Sequence, residues 1–230
     1  MSFLVAIDQK LRPDCIAETL AAVQADFATS RNLHPGRRRT RVFQGIIDRS
    51  HLLAIGEWER AEDYHRLYRS SRYQELVVCA DPPADIASLR RLRLFARMSI
   101  APSIVACVTM TAPDSQAAAF RAYVLGGAPT AVEAAPGLLS HEVYQVGAAP
   151  GALLAVHGWR SLADLERFRT QAAPRHASAF ARFDVTVERF TGVIAADYSR
   201  AEALPNVAPR ELRAMTAPLD RQRLPFLVER

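Results

Sequence analysis

The spacing of apolar and polar residues along the first part of the chain predicts four strands and two helices. Apolar residues recur at helical spacing after Pro13, which indicates the first helix, and a second helix is predicted from residue 59 to about residue 78. The predicted strands are 3–7, 41–47, 52–58 and 89–98. Together these elements give the order β-α-β-β-α-β.

The second part of the chain repeats this order. Helices are predicted over 115–125 and after Ser161, whose hydroxyl can accept a backbone N–H at a helix start. The predicted strands are 104–111, 140–146, 153–159 and 183–193. The two parts therefore have the same predicted elements in the same order.

A shift of 101 residues aligns the two parts directly. Residues 35–66 and 136–167 share ten identities in 32 positions without a gap, including both tryptophans of the protein. We interpret this as a tandem duplication. The predicted fold is α+β, with ferredoxin-like repeats at 1–100 and 101–196 whose antiparallel sheets pack as one α+β barrel. Residues 197–230, rich in proline and charge, are predicted to form a C-terminal extension.

Composition limits the classes of function. Half of the residues are apolar, which is enough for a core, and the net charge is +5. Of the 29 basic residues 28 are arginine, a bias typical of high-GC coding rather than of phosphate binding, so we expect no nucleic-acid partner. The densest arginine cluster, at 37–41, is interpreted as a solvated rim. Three cysteines without CxxC spacing and no long apolar run favour a cytoplasmic protein with no membrane partner.

Two segments, 52–64 and 153–165, each combine a strand that ends in tryptophan with a helix that starts soon afterwards. This combination resembles the core of the antibiotic biosynthesis monooxygenase family, over about residues 1–195. The resemblance implies the dimeric α+β barrel fold, here built from two copies in one chain, and leaves a homodimer open. It says less about activity, because that superfamily includes oxygenases, haem-degrading enzymes, isomerases, cyclases and ligand sensors.

The family's functional residues are only partly present. Anthrone oxygenases of the family have an asparagine four residues before the tryptophan, where this chain has Ala54 and Ala155. Their tyrosine six residues after it is present as Tyr64 but is replaced by Leu165 in the second repeat. The tryptophan and histidine of the haem-degrading branch are missing from both repeats, which disfavours haem degradation.

The resemblance places the cavity on the tryptophan side of the sheet. Because side chains alternate along a strand, His157 shares that side with Trp159. If 147–151 forms a five-residue hairpin, His141 lies opposite His157 on the neighbouring strand. We therefore predict His157 and His141 as catalytic residues, with His157 taking a proton from a phenol or hydroquinone near the ordinary histidine pKa of about 6.5.

The predicted substrate-binding residues are Trp159, Trp58, Tyr64 and Tyr68, whose rings could stack on a flat ligand. A structural role stays open for each of them, because strand-end aromatic residues often close a core. A structural role also stays open for the histidines, which can be satisfied core residues. No metal site is predicted, since two histidines without a third ligand make a poor site.

The resemblance implies an oxygenase that acts on a flat polycyclic phenol or quinone with O2. No G-x-G-x-x-G motif occurs, so we expect no built-in dinucleotide site, and any reduced flavin would bind as a diffusible co-substrate. Three alternatives remain. They are a flavin-assisted ring-opening oxygenase, a non-redox cyclase or isomerase, and a ligand-binding protein without turnover.

Overall fold

The computed structural model describes residues 3–71, 73, 85–96, 102–127 and 132–199. The strands are β1 (Phe3–Lys10), β2 (Arg37–Gly45), β3 (His51–Trp58), β4 (Asp85–Ala96), β5 (Ile104–Thr111), β6 (Leu138–Val146), β7 (Ala152–Trp159) and β8 (Thr186–Ser199). The helices are α1 (Ile16–Leu33), α2 (Ala61–Tyr68), α3 (Asp114–Ala122) and α4 (Leu162–Arg182), with a 3-10 turn at Pro13–Cys15 and a π-helical segment at Tyr123–Gly127. The predicted end of the second helix near residue 78 and the extension from residue 200 lie outside the described residues.

The eight strands form one closed antiparallel barrel in the order β1-β3-β2-β8-β5-β7-β6-β4. Each repeat contributes four neighbouring strands in the same relative order, as two ferredoxin-like units should. The two sheets join where β2 pairs with β8 and where β4 pairs with β6. This confirms the predicted α+β barrel, and closure leaves no free edge among the described strands.

The last strand of each repeat belongs to both sheets. β4 pairs with β1 through Leu89 and with β6 from Leu89 onward. β8 pairs with β5 up to Gly192 and with β2 from Gly192 onward. A Cβ at Gly192 would lie 2.6 Å from the carbonyl oxygen of Gln44, so this junction requires glycine. β8 therefore runs to Ser199, past the predicted start of the extension at 197.

Side-chain alternation divides the buried residues between the inside and the outside of the barrel. The interior is filled by a cluster to which all eight strands contribute, including Leu4, Phe43, Leu53, Ile55, Tyr144 and Val156. The opposite faces of the strands pack against the helices in separate clusters, which contain Trp58 in the first repeat and Trp159 in the second. The tryptophan side is thus the helix side, as the resemblance implies.

A buried ion pair crosses the barrel interior between the two repeats. Arg41 on β2 and Glu142 on β6 are 2.7 Å apart and almost fully buried. They occupy equivalent positions, 101 residues apart, so the duplication has placed opposite charges where the repeats face each other. Tyr144 donates a hydrogen bond to Glu142, and Arg91 lies 3.8 Å from the same carboxylate. The prediction of a solvated arginine rim is therefore wrong for Arg41.

The ion pair should behave as a coupled unit in a double-mutant cycle. Arg41→Met and Glu142→Gln should each lower the free energy of unfolding by about 3–5 kcal/mol, because each leaves a buried charge without its partner. The double variant should lose less than the sum of the two, by on the order of 1–3 kcal/mol. Urea unfolding measures these values. The matched control is Arg38→Met, at an exposed position of β2, and strict additivity would contradict the coupling.

Candidate functional site

The residues that the two repeats share form a structural corner beside each tryptophan. A Cβ at Gly36 or at Gly137 would lie within 2.5 Å of the side chain of Asp63 or Asp164, respectively, so glycine lets the loop lie against the first turn of the next helix. Gly137 also has a φ of +84°, which favours glycine. The carbonyl oxygen of Gly137 accepts a hydrogen bond from the N–H of Arg160, directly after Trp159. The shared residues thus hold strand and helix together.

Each repeat also encloses a cavity between the helix side of its sheet and its helices. Cavity 1, of about 100 Å³, belongs to the first repeat. Cavity 2, of about 130 Å³, belongs to the second repeat and lies between α4 and strands β5 to β8. The predicted residues divide between them: Trp58, Tyr64, Thr40 and Gly56 line cavity 1, whereas His141, His157 and Trp159 line cavity 2.

His141 and His157 are a directly opposed pair on β6 and β7, as the hairpin length predicts. Their rings stack with centroids 4.8 Å apart and an interplanar angle of 23°. The exposed fraction is 3% for His141 and 9% for His157. The Nδ1 atom of each ring is buried without a hydrogen-bond partner, which is uncommon in folded proteins. The pair is therefore poorly explained as a self-sufficient structural contact.

Burial holds both histidines in the neutral form. It lowers the pKa of His157 to about 3, with a smaller contribution from the neighbouring His141. Burial also lowers the pKa of His141 to about 4, although Glu133 opposes this shift. The expected ionisation near pH 6.5 is therefore wrong: at pH 7 both rings are neutral hydrogen-bonding groups.

The remaining walls of cavity 2 are aromatic, apolar and cationic. Trp159 is fully buried against Phe168 of α4, with ring centroids 5.0 Å apart. His176 on α4 also lines the cavity and lies 3.5 Å from the hydroxyl of Tyr123. His176 was not among the predicted site residues, because a single histidine on a helix gives no sign of whether it faces the sheet or the solvent.

Cavity 1 has different chemistry. Arg37 and Asp26 form a buried ion pair of 2.8 Å in its wall, and the carboxylate pKa falls to about 2 because hydrogen bonds from His34 and Arg37 outweigh the effect of burial. The guanidinium lies over the Trp58 ring at 5.2 Å. Sequence reasoning missed both charged residues, since it assigned Arg37 to a solvated rim.

Gly56 is the counterpart of His157 and explains why cavity 1 lacks a histidine there. A Cβ at Gly56 would lie 2.9 Å from Nε1 of Trp58, so the indole occupies the space that a side chain would need. Thr40, opposite Gly56, replaces His141. The two cavities are thus not equivalent.

Tyr68 does not line cavity 1. It lies on α2 with an exposed fraction of 36%, and its ring contacts those of Tyr64 and Tyr73. The helix turns Tyr64 inward and leaves Tyr68, one turn later, at the edge of the aromatic cluster. Tyr73 lines the cavity instead. Among the described residues, no group of three or more His, Cys, Asp or Glu side chains is arranged to hold a metal ion.

Residues 103–181 match the model of the antibiotic biosynthesis monooxygenase family. The second repeat is a domain of that family. The match covers most of β5 to α4 and therefore all of the walls of cavity 2 except Arg189 on β8. The first repeat has the same strand order and the same corner residues. A search of curated protein sequences found no match.

Several solved structures share the complete barrel. An anthrone oxidase-like protein is 14% identical with a TM-score of 0.69, over 87% of this chain and 94% of that one. A candidate monooxygenase from Fusobacterium nucleatum is 8% identical with a TM-score of 0.67, over 86% and 94%. A candidate monooxygenase from Lactobacillus acidophilus is 10% identical with a TM-score of 0.63, over 86% and 96%. At these identities the likeness shows the fold alone. In the described part of the chain, no helix has the length and apolarity to cross a membrane.

The buried histidines of this antibiotic biosynthesis monooxygenase domain should make stability depend on pH. Their folded pKa lies below the unfolded value of about 6.5, so the unfolded chain binds more protons between that pH and about 4. Their contribution is therefore present above pH 6.5 and is lost as the pH falls toward 4. The slope approaches about 1.4 kcal/mol per pH unit for each histidine.

His157→Ala should reduce this slope by the contribution of one histidine, about 1.4 kcal/mol per pH unit. The free energy of unfolding in urea, measured from pH 7.5 to pH 4.5, gives the slope. His65→Ala, at an exposed position of α2, is the matched control and should keep the slope of the unmodified protein. Equal slopes for His157→Ala and the unmodified protein would contradict the lowered pKa.

Proposed function

We propose that the protein is an oxygenase for a flat aromatic substrate with a phenolic hydroxyl, and that cavity 2 is the reaction site. The observation that carries this proposal is the stacked, buried pair His141–His157 beside Trp159 in an otherwise largely apolar cavity. Apolar walls with a few convergent polar groups are typical of small-molecule sites. Cavity 1, whose polar wall groups include a neutralised ion pair, offers no comparable proton acceptor at the strand positions 40 and 56.

The size of cavity 2 limits how a substrate binds. A cavity of about 150 Å³ holds one benzene ring, and cavity 2 measures about 130 Å³. The exposed side chain of Arg189 is part of its wall, so the cavity reaches the protein surface there. A polycyclic substrate would place one ring against Trp159 and extend its other rings toward Arg189.

His157 would act first as a hydrogen-bond acceptor. A neutral imidazole that accepts a hydrogen bond from the phenolic hydroxyl orients the substrate. As the O–H bond lengthens, the electron density of the substrate's aromatic ring rises. Full transfer of the proton to an imidazole of pKa about 3 is unfavourable unless the phenolate stays next to the imidazolium, where the two charges stabilise each other. Proton movement and the attack of oxygen on the ring system would therefore be coupled.

An anthrone-type substrate makes the redox balance simple. Its CH2 group loses two hydrogens and four electrons on conversion to a ketone. One O2 accepts these electrons, delivers one oxygen atom to the carbon and leaves the other as water. No external reductant is needed for this reaction. Insertion of one oxygen atom into a phenol, by hydroxylation or ring opening, takes only two electrons from the substrate. The other two electrons that O2 needs must come from a reductant, which could be reduced flavin as a diffusible co-substrate.

Oxygen consumption distinguishes the alternatives. With 1,8-dihydroxyanthrone we expect one O2 consumed for each anthraquinone formed, above the rate without protein. A reaction that needs added reduced flavin would favour the ring-opening or hydroxylating oxygenase. Product formed without oxygen consumption would indicate a cyclase or isomerase, and binding without turnover would indicate a ligand-binding protein.

His157→Ala should lower kcat/KM by roughly 10²- to 10⁴-fold, the usual contribution of a positioned proton acceptor. His51→Ala, which removes a histidine outside the walls of both cavities, should leave the rate unchanged. The rate of the unmodified enzyme should stay level from pH 8 to pH 5, because His157 is neutral throughout this range. Full activity of His157→Ala would overturn the assignment of His157.

A further inference from the structure

The walls of the two cavities differ in the numbers of positively and negatively charged side chains. Cavity 1 has one arginine, Arg37, which is neutralised by Asp26. Cavity 2 has two arginines, Arg169 and Arg189, and no carboxylate among the described residues that line it. Its three histidines include His141 and His157, which burial keeps neutral. Because Arg169 is itself paired with Glu166, the positive charge that cavity 2 has and cavity 1 lacks is that of Arg189.

The two arginines lie on the side of cavity 2 that is far from the histidine pair. Arg169 of α4 donates a hydrogen bond of 2.6 Å to the hydroxyl of Thr191, which anchors its guanidinium above β8. Arg169 also pairs with Glu166 at 3.1 Å. Arg189 is exposed on β8 and forms no ion pair with the part of the chain that the structure describes. Arg189 is therefore the cation whose charge is available to a ligand.

The strand register gives the distance between the two polar sides. Arg189 lies opposite Val108 on β5, and Val108 lies opposite Ala155 on β7, two residues before His157. Strands lie about 4.8 Å apart and residues rise about 3.3 Å each, so the Cα atoms of Arg189 and His157 are separated by roughly 12 Å. Both residues line cavity 2. A separation of this size suits a two-ring aromatic compound that has a polar group at each end.

The surface between these polar sides is apolar. The small side chains of Ala106, Val108 and Ala155 form the floor, while Phe168 and Phe180 of α4 form the opposite wall. A planar ring system fits such a slot with one end at the histidines and the other at Arg189.

We infer that cavity 2 selects an aromatic substrate with an anionic substituent, a carboxylate, at the end opposite its phenolic hydroxyl. The inference rests on the proposed function for the role of the hydroxyl. The carboxylate pairs with Arg189 at the cavity mouth, with Arg169 behind it, and the hydroxyl reaches His157. Arg189 is thus a specificity-determining residue. A charge-assisted contact at the mouth keeps part of its strength because the ring system shields one side of it from water.

Binding of matched probes tests the inference without turnover. 6-Hydroxy-2-naphthoate has its hydroxyl and carboxylate at opposite ends of two fused rings, and 6-hydroxy-2-naphthamide is its neutral counterpart. Fluorescence titration of the full chain under anaerobic conditions should give roughly 10-fold tighter binding of the acid, a value between those of buried and fully exposed charged contacts. 3-Hydroxy-2-naphthoate, with adjacent substituents that cannot span the slot, should bind more weakly than the 6-hydroxy acid.

Arg189→Gln should remove the preference for the acid and leave the affinity for the amide unchanged. Arg182→Gln is the matched control, because Arg182 is exposed at the end of α4 over the Phe183 ring and outside the walls of cavity 2. Equal affinity for acid and amide, an unchanged preference in Arg189→Gln, or no binding of either probe would overturn the inference.

The outcome is separate from that of the oxygenase proposal. An acid preference that depends on Arg189, together with no oxygen consumption from any hydroxyarene, would support the binding inference and refute the oxygenase. Oxygen consumption that is equal for acid and amide and unaffected by Arg189→Gln would support the oxygenase and refute the inference.

Discussion

The architecture depends on the pairing of the two sheets at both of their edges. A four-stranded sheet with helices on one side has an apolar second face and two unpaired edges, each of which would invite association with another chain. The duplication resolves both problems within one chain, since β2 pairs with β8, β4 pairs with β6, and the apolar faces meet inside the barrel. The helix sides then remain outside as two separate places where a cavity can form.

One chain also allows equivalent positions to diverge, which two identical subunits cannot do. Position 41 is arginine and its counterpart 142 is glutamate, and the two form a buried pair across the barrel. The same freedom gives Thr40 and Gly56 in one cavity but His141 and His157 in the other. The residues that stayed the same, such as Gly36 and Gly137, hold the corners together. The residues that are identical in the two repeats therefore stabilise the fold, whereas the residues that differ give the two cavities different chemical groups.

The sequence predicted what local patterns determine. Apolar alternation, the repeat and the hairpin length were enough for the order of elements along each repeat and for the opposition of His141 and His157. The sequence could not predict features that depend on contacts between repeats: the continuation of β8 to Ser199 along β2, or the burial of Arg41 against Glu142. Arg37 was missed for a related reason, because its partner Asp26 lies on a different element and an arginine-rich run gives no sign of which side chain turns inward. The histidine pKa values also follow from three-dimensional burial.

The electrostatics of cavity 2 follow from where its groups lie relative to water. The histidines are deep, so the cost of removing a charge from water keeps them neutral, and they can accept a proton only when a negative charge forms beside them. The arginines are near the surface, where solvent supports their permanent charge. On the proposed function, the arginine at the mouth would attract an anion to the entrance without placing an uncompensated cation beside the reacting ring. The hydroxyl at the deep end would lose its proton only where the phenolate and the imidazolium stabilise each other, so the ring system would join binding at Arg189 to proton transfer at His157.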